Sequence, residues 1–267
     1  MLSKIWSLAR LVILDGLRRH ALIGLLLLAL LLEAAGLFFF QFIPRDIGRA
    51  SADFILSVGW LTGFLFLFFH AVQVMAWDEE RRTIHTILAR PISRTQYVLG
   101  VYLALALLLL VLNIVLAAIG YGILEMIKGS VKPVYFTHLS LGHYGLSWLG
   151  LYLMELVILA VILFFSGLVR GGFPVLLLSV SYYFICTGLP VVREAVKGDG
   201  DAALAGMLKG MTAFFPDFSR FDFKSLVTTT LERPLFHYLG TDCLLAAAYV
   251  AVVLAVTAII YQKRDLQ

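Results

Sequence analysis

Five stretches of this 267-residue chain, 54–77, 95–124, 133–154, 171–192 and 243–262, contain no Asp, Glu, Lys or Arg. A helix needs about 20 apolar residues to cross roughly 30 Å of hydrocarbon, and each stretch is that long. A sixth, 21–43, is broken only by Glu33, and the run ending at Met154 continues beyond Glu155 to Val169. Composition agrees: 61% of the residues are apolar or aromatic and 14% are charged. Soluble domains carry about 45–50% and about 25%, so a soluble core and a disordered chain are both excluded. The runs are too continuous for the alternating strands of a membrane barrel. The sequence therefore predicts an all-α, polytopic integral membrane protein, one transmembrane domain over 1–267. Its six transmembrane helices are expected near 21–42, 54–77, 97–124, 145–169, 173–192 and 242–261.

The few charges give an orientation. With the N-terminus cytoplasmic, that side collects Lys4, Arg10, Arg18, Arg19, Arg81, Arg82, Arg90, Arg94, Arg170, Lys263 and Arg264. The two short connections opposite hold only Arg45, Arg49, Lys128 and Lys132. In the long segment 193–241 the basic residues are balanced by Glu194, Asp199, Asp201, Asp217, Asp222 and Glu232. Short connections decide topology, so both termini are expected to be cytoplasmic. Residues 1–19 place Leu2, Ile5, Trp6, Ala9, Val12 and Ile13 at helical spacing, with Lys4, Ser7, Arg18 and Arg19 on the other side. This predicts an amphipathic interfacial helix on the cytoplasmic leaflet, not a cleaved leader.

The net charge of +4 does not point to nucleic acid, because the basic residues lie at membrane boundaries where topology accounts for them. Cys186 and Cys243 both fall toward the outer leaflet, where a disulfide and two packed free thiols are both open. The sequence has no GxxxxGK[ST] phosphate loop, HExxH, CxxC or GxSxG. Any ATP used by this chain is therefore bound elsewhere.

The most informative segment, 78–96, connects the second and third spans. Asp78, Glu79 and Glu80 suit the positive end of a short helix, and Pro91 disfavours helical geometry at Arg90. Between them Ile84, Ile87 and Leu88 fall at i, i+3 and i+4, an apolar ridge flanked by Arg81, Arg82 and Arg90 on a water-facing segment. Such a ridge fits a groove on a partner, with the charges fixing its register. A solvated loop obeying the positive-inside rule would carry the same basic residues. Ser93-Arg94-Thr95-Gln96 reads as a capping box that opens the third span, a rigid start able to pass a push into the membrane.

This segment resembles the coupling region of type-2 ABC transporter permeases. The match runs through Glu79-Glu80, Arg82-Thr83, Ile87-Leu88, Arg90-Pro91-Ile92-Ser93-Arg94, Tyr97 and Leu99-Gly100, with Val101 where the family has Lys. Leu17-Arg18-Arg19, the Pro216-Asp217-Phe218-Ser219-Arg220-Phe221-Asp222 stretch and the closing Lys263-Arg264-Asp265-Leu266 extend it. The outer stretch is most like the multicopper-enzyme-maturation branch, relatives of the nitrous-oxide-reductase accessory permease. No Met- or Cys-rich or His-paired metal site accompanies it, so copper is not named as substrate.

The resemblance implies the type-2 ABC exporter transmembrane fold in a bacterial inner membrane. It implies a second permease chain, in a homodimer or heterodimer, and two copies of a separate ABC ATPase subunit seated on the segment around Thr83–Leu88. The chain itself would be a non-catalytic subunit without a cofactor or metal of its own, with ATP and Mg on the partner ATPase. The outer segment 193–241 is either a set of re-entrant outer helices, as in the family, or a folded cap without a part in gating.

Four polar residues fall inside spans. Glu33 and Glu155, about 18 and 15 Å from the starts of their helices, are expected near the midplane, facing the bundle interior or a wet cavity. They serve either a pathway or switch, or interhelical hydrogen bonding. Asn113 and His70 are read as packing residues. Two rival functions follow from the same sequence. A proton-coupled secondary carrier would use Glu33 and Glu155, but the inverted repeats such carriers show are not visible here. A membrane-embedded enzyme would need a convergent His, Ser or carboxylate constellation, which the spans lack.

Overall fold

The computed structural model describes residues 2–18, 20–40, 47–80, 93–130, 136, 140–197, 206, 210, 215–223 and 235–263. Its regular elements are α1 (Leu2–Arg18), α2 (Ala21–Phe40), α3 (Ile47–Leu65), α4 (Val72–Glu80), α5 (Arg94–Ser130), α6 (Leu141–Leu168), α7 (Gly172–Lys197) and α8 (Leu235–Lys263). A π-helical turn, Phe66–Ala71, joins α3 to α4 without a break, so the two form one span. A short 3₁₀ turn, Phe218–Phe221, lies among the described residues of the long segment before α8. No strand occurs among the described residues.

Five of these helices are long and apolar enough to cross a membrane, and α1 with α2 forms a bent pair that makes a sixth. The described residues are thus all-helical and compatible with a multi-pass membrane protein; five expected spans have a helix of their own, and the first is matched by α2 only where the bent pair counts as one span. The helices overrun the apolar runs. α5 has 37 residues, about 55 Å of helix against about 30 Å of hydrocarbon, and α7 and α8 also extend past the predicted ends. No proline stops α5 at residue 124, and the helix runs through Gly120, Gly122 and Gly129. Its last turns are instead held by Tyr121, whose hydroxyl donates to Glu125, and by the Lys128–Glu125 ion pair at 3.3 Å.

Two helices form the centre. On α5, Tyr97, Leu105, Leu109, Leu116 and Leu124 recur along one face and are almost fully enclosed. On α6, Val157, Leu159, Ala160, Ile162 and Leu163 are buried in a nearly unbroken series, so this helix is covered on all sides there. α8 lies at the periphery, with Leu244, Leu245, Val252, Val256 and Ile259 facing outward. Outward leucine, valine and isoleucine are the ordinary surface of a helix in lipid. α6 and α7 are joined by Val169, Arg170 and Gly171 alone; Gly171 has φ +91°, a conformation that side chains resist and a turn this short requires. Near the middle of the bundle the Tyr182 and Tyr249 hydroxyls bond to each other and tie α7 to α8.

The N-terminal helix buries Leu8, Ala9 and Val12 and exposes Trp6, Leu11, Leu14 and Leu17, so the covered face includes Ala9 and Val12 from the predicted stripe but not Trp6. Its buried face is spent on protein. Leu8 lies over Gly100 and Gly16 lies by Leu108, an equal advance on both helices, so α1 runs alongside α5 in the same direction. α2 then departs at 56°, through His20 in the left-handed region at φ 54°. Cys186 is buried and Cys243 partly exposed, and both are free thiols, so the disulfide alternative is not realised.

Candidate functional site

The residues singled out by the sequence fall into two places. At the end of the bundle where α5 begins, the capping box forms as predicted. The Gln96 side chain accepts from the Ser93 amide at 3.1 Å, and Ser93 Oγ accepts from the Gln96 amide at 3.3 Å. Two amides at the helix start that have no intrahelical partner are satisfied reciprocally.

Arg94, the next residue, reaches another helix. Its Nη1 donates to the carbonyls of Tyr261 (2.9 Å) and Gln262 (3.0 Å), in the last turn of α8. Terminal helical carbonyls lack intrahelical donors and carry the negative end of the dipole, so a guanidinium suits them in hydrogen bonding and in charge. Beside it, Gln262 Nε2 donates to Thr95 Oγ1 at 2.9 Å, and Tyr261 meets the Tyr97 ring and the Ser166 hydroxyl. One residue after segment 78–92, then, the chain enters a junction that binds α5 to α8. Arg94→Gln keeps the polarity and removes the charge. It is expected to cost about 1 kcal/mol at this half-exposed position and to speed hydrogen exchange in the last turn of α8. Unchanged exchange there would show that the contact contributes nothing.

The other coupling residues divide. Asp78, Glu79 and Glu80 continue the helix of the second span and form the end of α4; they do not open a new helix, because nothing between Val72 and Glu80 breaks the old one. Arg81, Arg82, Thr83, Ile84, Ile87, Leu88, Arg90 and Pro91 lie outside the described residues.

The second place is the bundle interior, where the four intramembrane polar residues occupy successive levels along α5. His70, in the π-helical turn, is buried, stacks on Phe66, and turns Nε2 toward Gly16, which itself lies by Leu108. One level on, the Asn113 amide donates to Glu155 Oε2 at 2.6 Å and to the Leu109 carbonyl at 3.0 Å. Glu155 is 2% exposed, and its Oε1 and Asn113 Oδ1 have no hydrogen-bond partner among the described residues. The third level is about 10 Å further along α5, at Gly120. There a methyl group on Gly120 would lie 2.8 Å from Tyr144 Oη and 3.7 Å from Glu33 Oε1. Glu33 is 1% exposed and neither carboxylate oxygen has a partner among the described residues; the nearby Tyr144 hydroxyl donates to the Ala117 carbonyl instead.

The two acids are therefore not a pair. Sequence position puts both near the middle of their own spans, but α2 is displaced along α5 relative to α6. Interhelical bonding accounts for Glu155 through Asn113 and does not account for Glu33. Asn113, read from sequence as packing, is the polar partner of Glu155.

Sequence reasoning missed what admits Glu155. Gly59 and Gly63 form a GxxxG step on α3, beneath Trp148 and Glu155 two turns apart on α6. A methyl at Gly63 would overlap Glu155 Oε1 and lie 2.6 Å from its Cδ; one at Gly59 would lie 2.7 Å from Trp148 Cζ3. The signal was present in Gly59-Trp60-Leu61-Thr62-Gly63. Comparison with protein-family models gave no match, and no curated protein is significantly similar to the chain.

Proposed function

We propose that this chain is the transmembrane permease subunit of an ATP-binding cassette transporter of the exporter type. ATP hydrolysis on two separate ATPase subunits drives movement of a substrate, or mechanical work, across the membrane. The observation that carries the reading is the junction at Ser93, Arg94 and Gln96. Segment 78–96 bears the apolar ridge and the acidic and basic residues of a coupling element. It ends on a capped helix start that is also fastened to the last helix, so a force applied to it is delivered to α5 and α8 together.

In this reading the chain sits in a bacterial inner membrane with both termini cytoplasmic, pairs with a second permease chain, and binds no nucleotide itself. α1 lies at the cytoplasmic side, its apolar outer face in the leaflet and its inner face on α5. The carrier alternative draws no support from Glu33 and Glu155, which stand on different levels.

The test is whether a Walker-motif ATPase is encoded beside this chain and co-purifies with it. The expected result is a stable complex whose ATPase activity depends on the permease and which is lost when Ile84, Ile87 and Leu88 are changed to Asp. An intact, active complex in that triple variant, or no association in the wild type, would refute the proposal.

A further inference from the structure

α8 lies chiefly along α6 and meets α5 less extensively, although the Arg94 junction fastens it to α5 at the end where α5 begins. Between α5 and α8 runs a groove with a cavity of about 640 Å³. Leu99 and Tyr102 of α5 form one wall, α8 from Cys243 to Ala258 the other, and Leu153 and Leu156 of α6 the floor. Small side chains on α8 leave this space. Ala247, Ala251 and Ala255 recur every four residues on one exposed side of the helix, and all three line the groove.

The lining suits hydrocarbon. The Tyr102 hydroxyl is spent on the Leu156 carbonyl at 3.3 Å, and a free thiol such as Cys243 packs as a small apolar group. No charged residue is among the described residues lining the groove. Its polar end is at the start of α5, where Thr95 Oγ1 accepts from Gln262. An apolar trough with a polar mouth has the polarity of an amphiphile.

Dimensions decide between occupants. Cys243 to Ala258 is about 22 Å of helix, so about 640 Å³ spread along it gives a mean section of roughly 30 Å². A helix with its side chains is about 10 Å across, or roughly 80 Å². A helix of a second copy can lie over this groove but cannot enter it, whereas an extended hydrocarbon chain is thin enough. One leaflet is half of the roughly 30 Å hydrocarbon core, so a chain anchored at the mouth reaches about two thirds of the way along. In lipid, α5 and α8 gain no hydrophobic energy by closing on each other, and a hydrocarbon chain between them supplies the dispersion contacts that their facing sides would otherwise lose.

We propose that the groove between α5 and α8 binds one acyl chain of a membrane phospholipid, from the leaflet in which α5 begins, with its ester end at Thr95 and Gln262 and its tail along Ala251. The site does not rest on the ATPase reading.

The test is the phospholipid retained per chain after purification in mild detergent, read by native mass spectrometry. Ala251→Phe fills the groove, while Val252→Phe puts the same ring on the next residue, which is exposed outside it. The thermal midpoint of each variant shows that it is folded. Wild type and Val252→Phe are expected to carry about one phospholipid per chain more than Ala251→Phe. Equal retention in all three proteins, equal loss in both variants, or a free fatty acid in place of the phospholipid would overturn the proposal. So would a wild-type dimer that becomes a monomer in Ala251→Phe with no change in bound phospholipid, because the groove would then belong to a second copy of the chain.

Discussion

Gly63→Ala should lower the stability of the bundle by about 3 kcal/mol, at the upper end of what a single added methyl costs in a packed core. The new carbon would occupy the position of Glu155 Oε1, in the middle of the bundle with no solvent to retreat into. The carboxylate can escape only by swinging away from Asn113, which breaks a 2.6 Å hydrogen bond and leaves buried polar atoms unsatisfied. Overpacking and desolvation therefore act in the same direction. The contact makes a specific claim about rescue. Glu155→Gln keeps the volume and should not restore Gly63→Ala, whereas Glu155→Ala removes the obstructing atoms and should recover most of the loss. Thermal melts of the three single variants and both double variants in detergent give the cycle. If Gly63→Ala melts with the wild type, or if Gln rescues as well as Ala, the α3–α6 contact is not as described.

Glu33→Leu should raise stability, by about 1–3 kcal/mol. A buried ionisable group without a partner is a cost that an apolar residue of similar size avoids. Glu33 is enclosed by Ile55, Gly120 and Tyr144, and neither oxygen has a hydrogen-bond partner among the described residues. The same substitution at Glu155 would break the bond to Asn113, so opposite signs at the two acids are expected from one melting experiment. A destabilised Glu33→Leu would show that the carboxylate is bound by something and holds the helices together. A stabilised variant whose complex loses the proposed permease-dependent ATPase activity would mark Glu33 as a functional residue kept against stability.

How much of this was legible in the sequence depends on range. The apolar helices follow from apolar runs, a signal that each segment carries by itself, and the Ser93–Gln96 box forms because both partners lie within one turn. Helix ends were less legible. Residues 193–197 and 235–241 continue α7 and α8 past the predicted span ends; 193–197 is charged but contains neither glycine nor proline to break a helix. The pattern of α1 showed that one face would be covered but not by what, and the cover is α5. Glu33 and Glu155 looked equivalent because each was measured from its own helix start, and the offset between helices is a tertiary quantity. Arg94 and the Tyr261 carbonyl are 167 residues apart, beyond any local pattern.

That separation also sets an order of assembly. A chain made from its N-terminus folds its early segments first. Arg94 is synthesised with the third span, but the carbonyls it grips belong to the last turn of the last one. Until α8 has been made and laid against α5 and α6, the guanidinium stands at a half-built junction. The brace between the start of α5 and the end of α8 is therefore the last of the described contacts to close, and it distinguishes a chain that carries α8 from one that stopped a helix short.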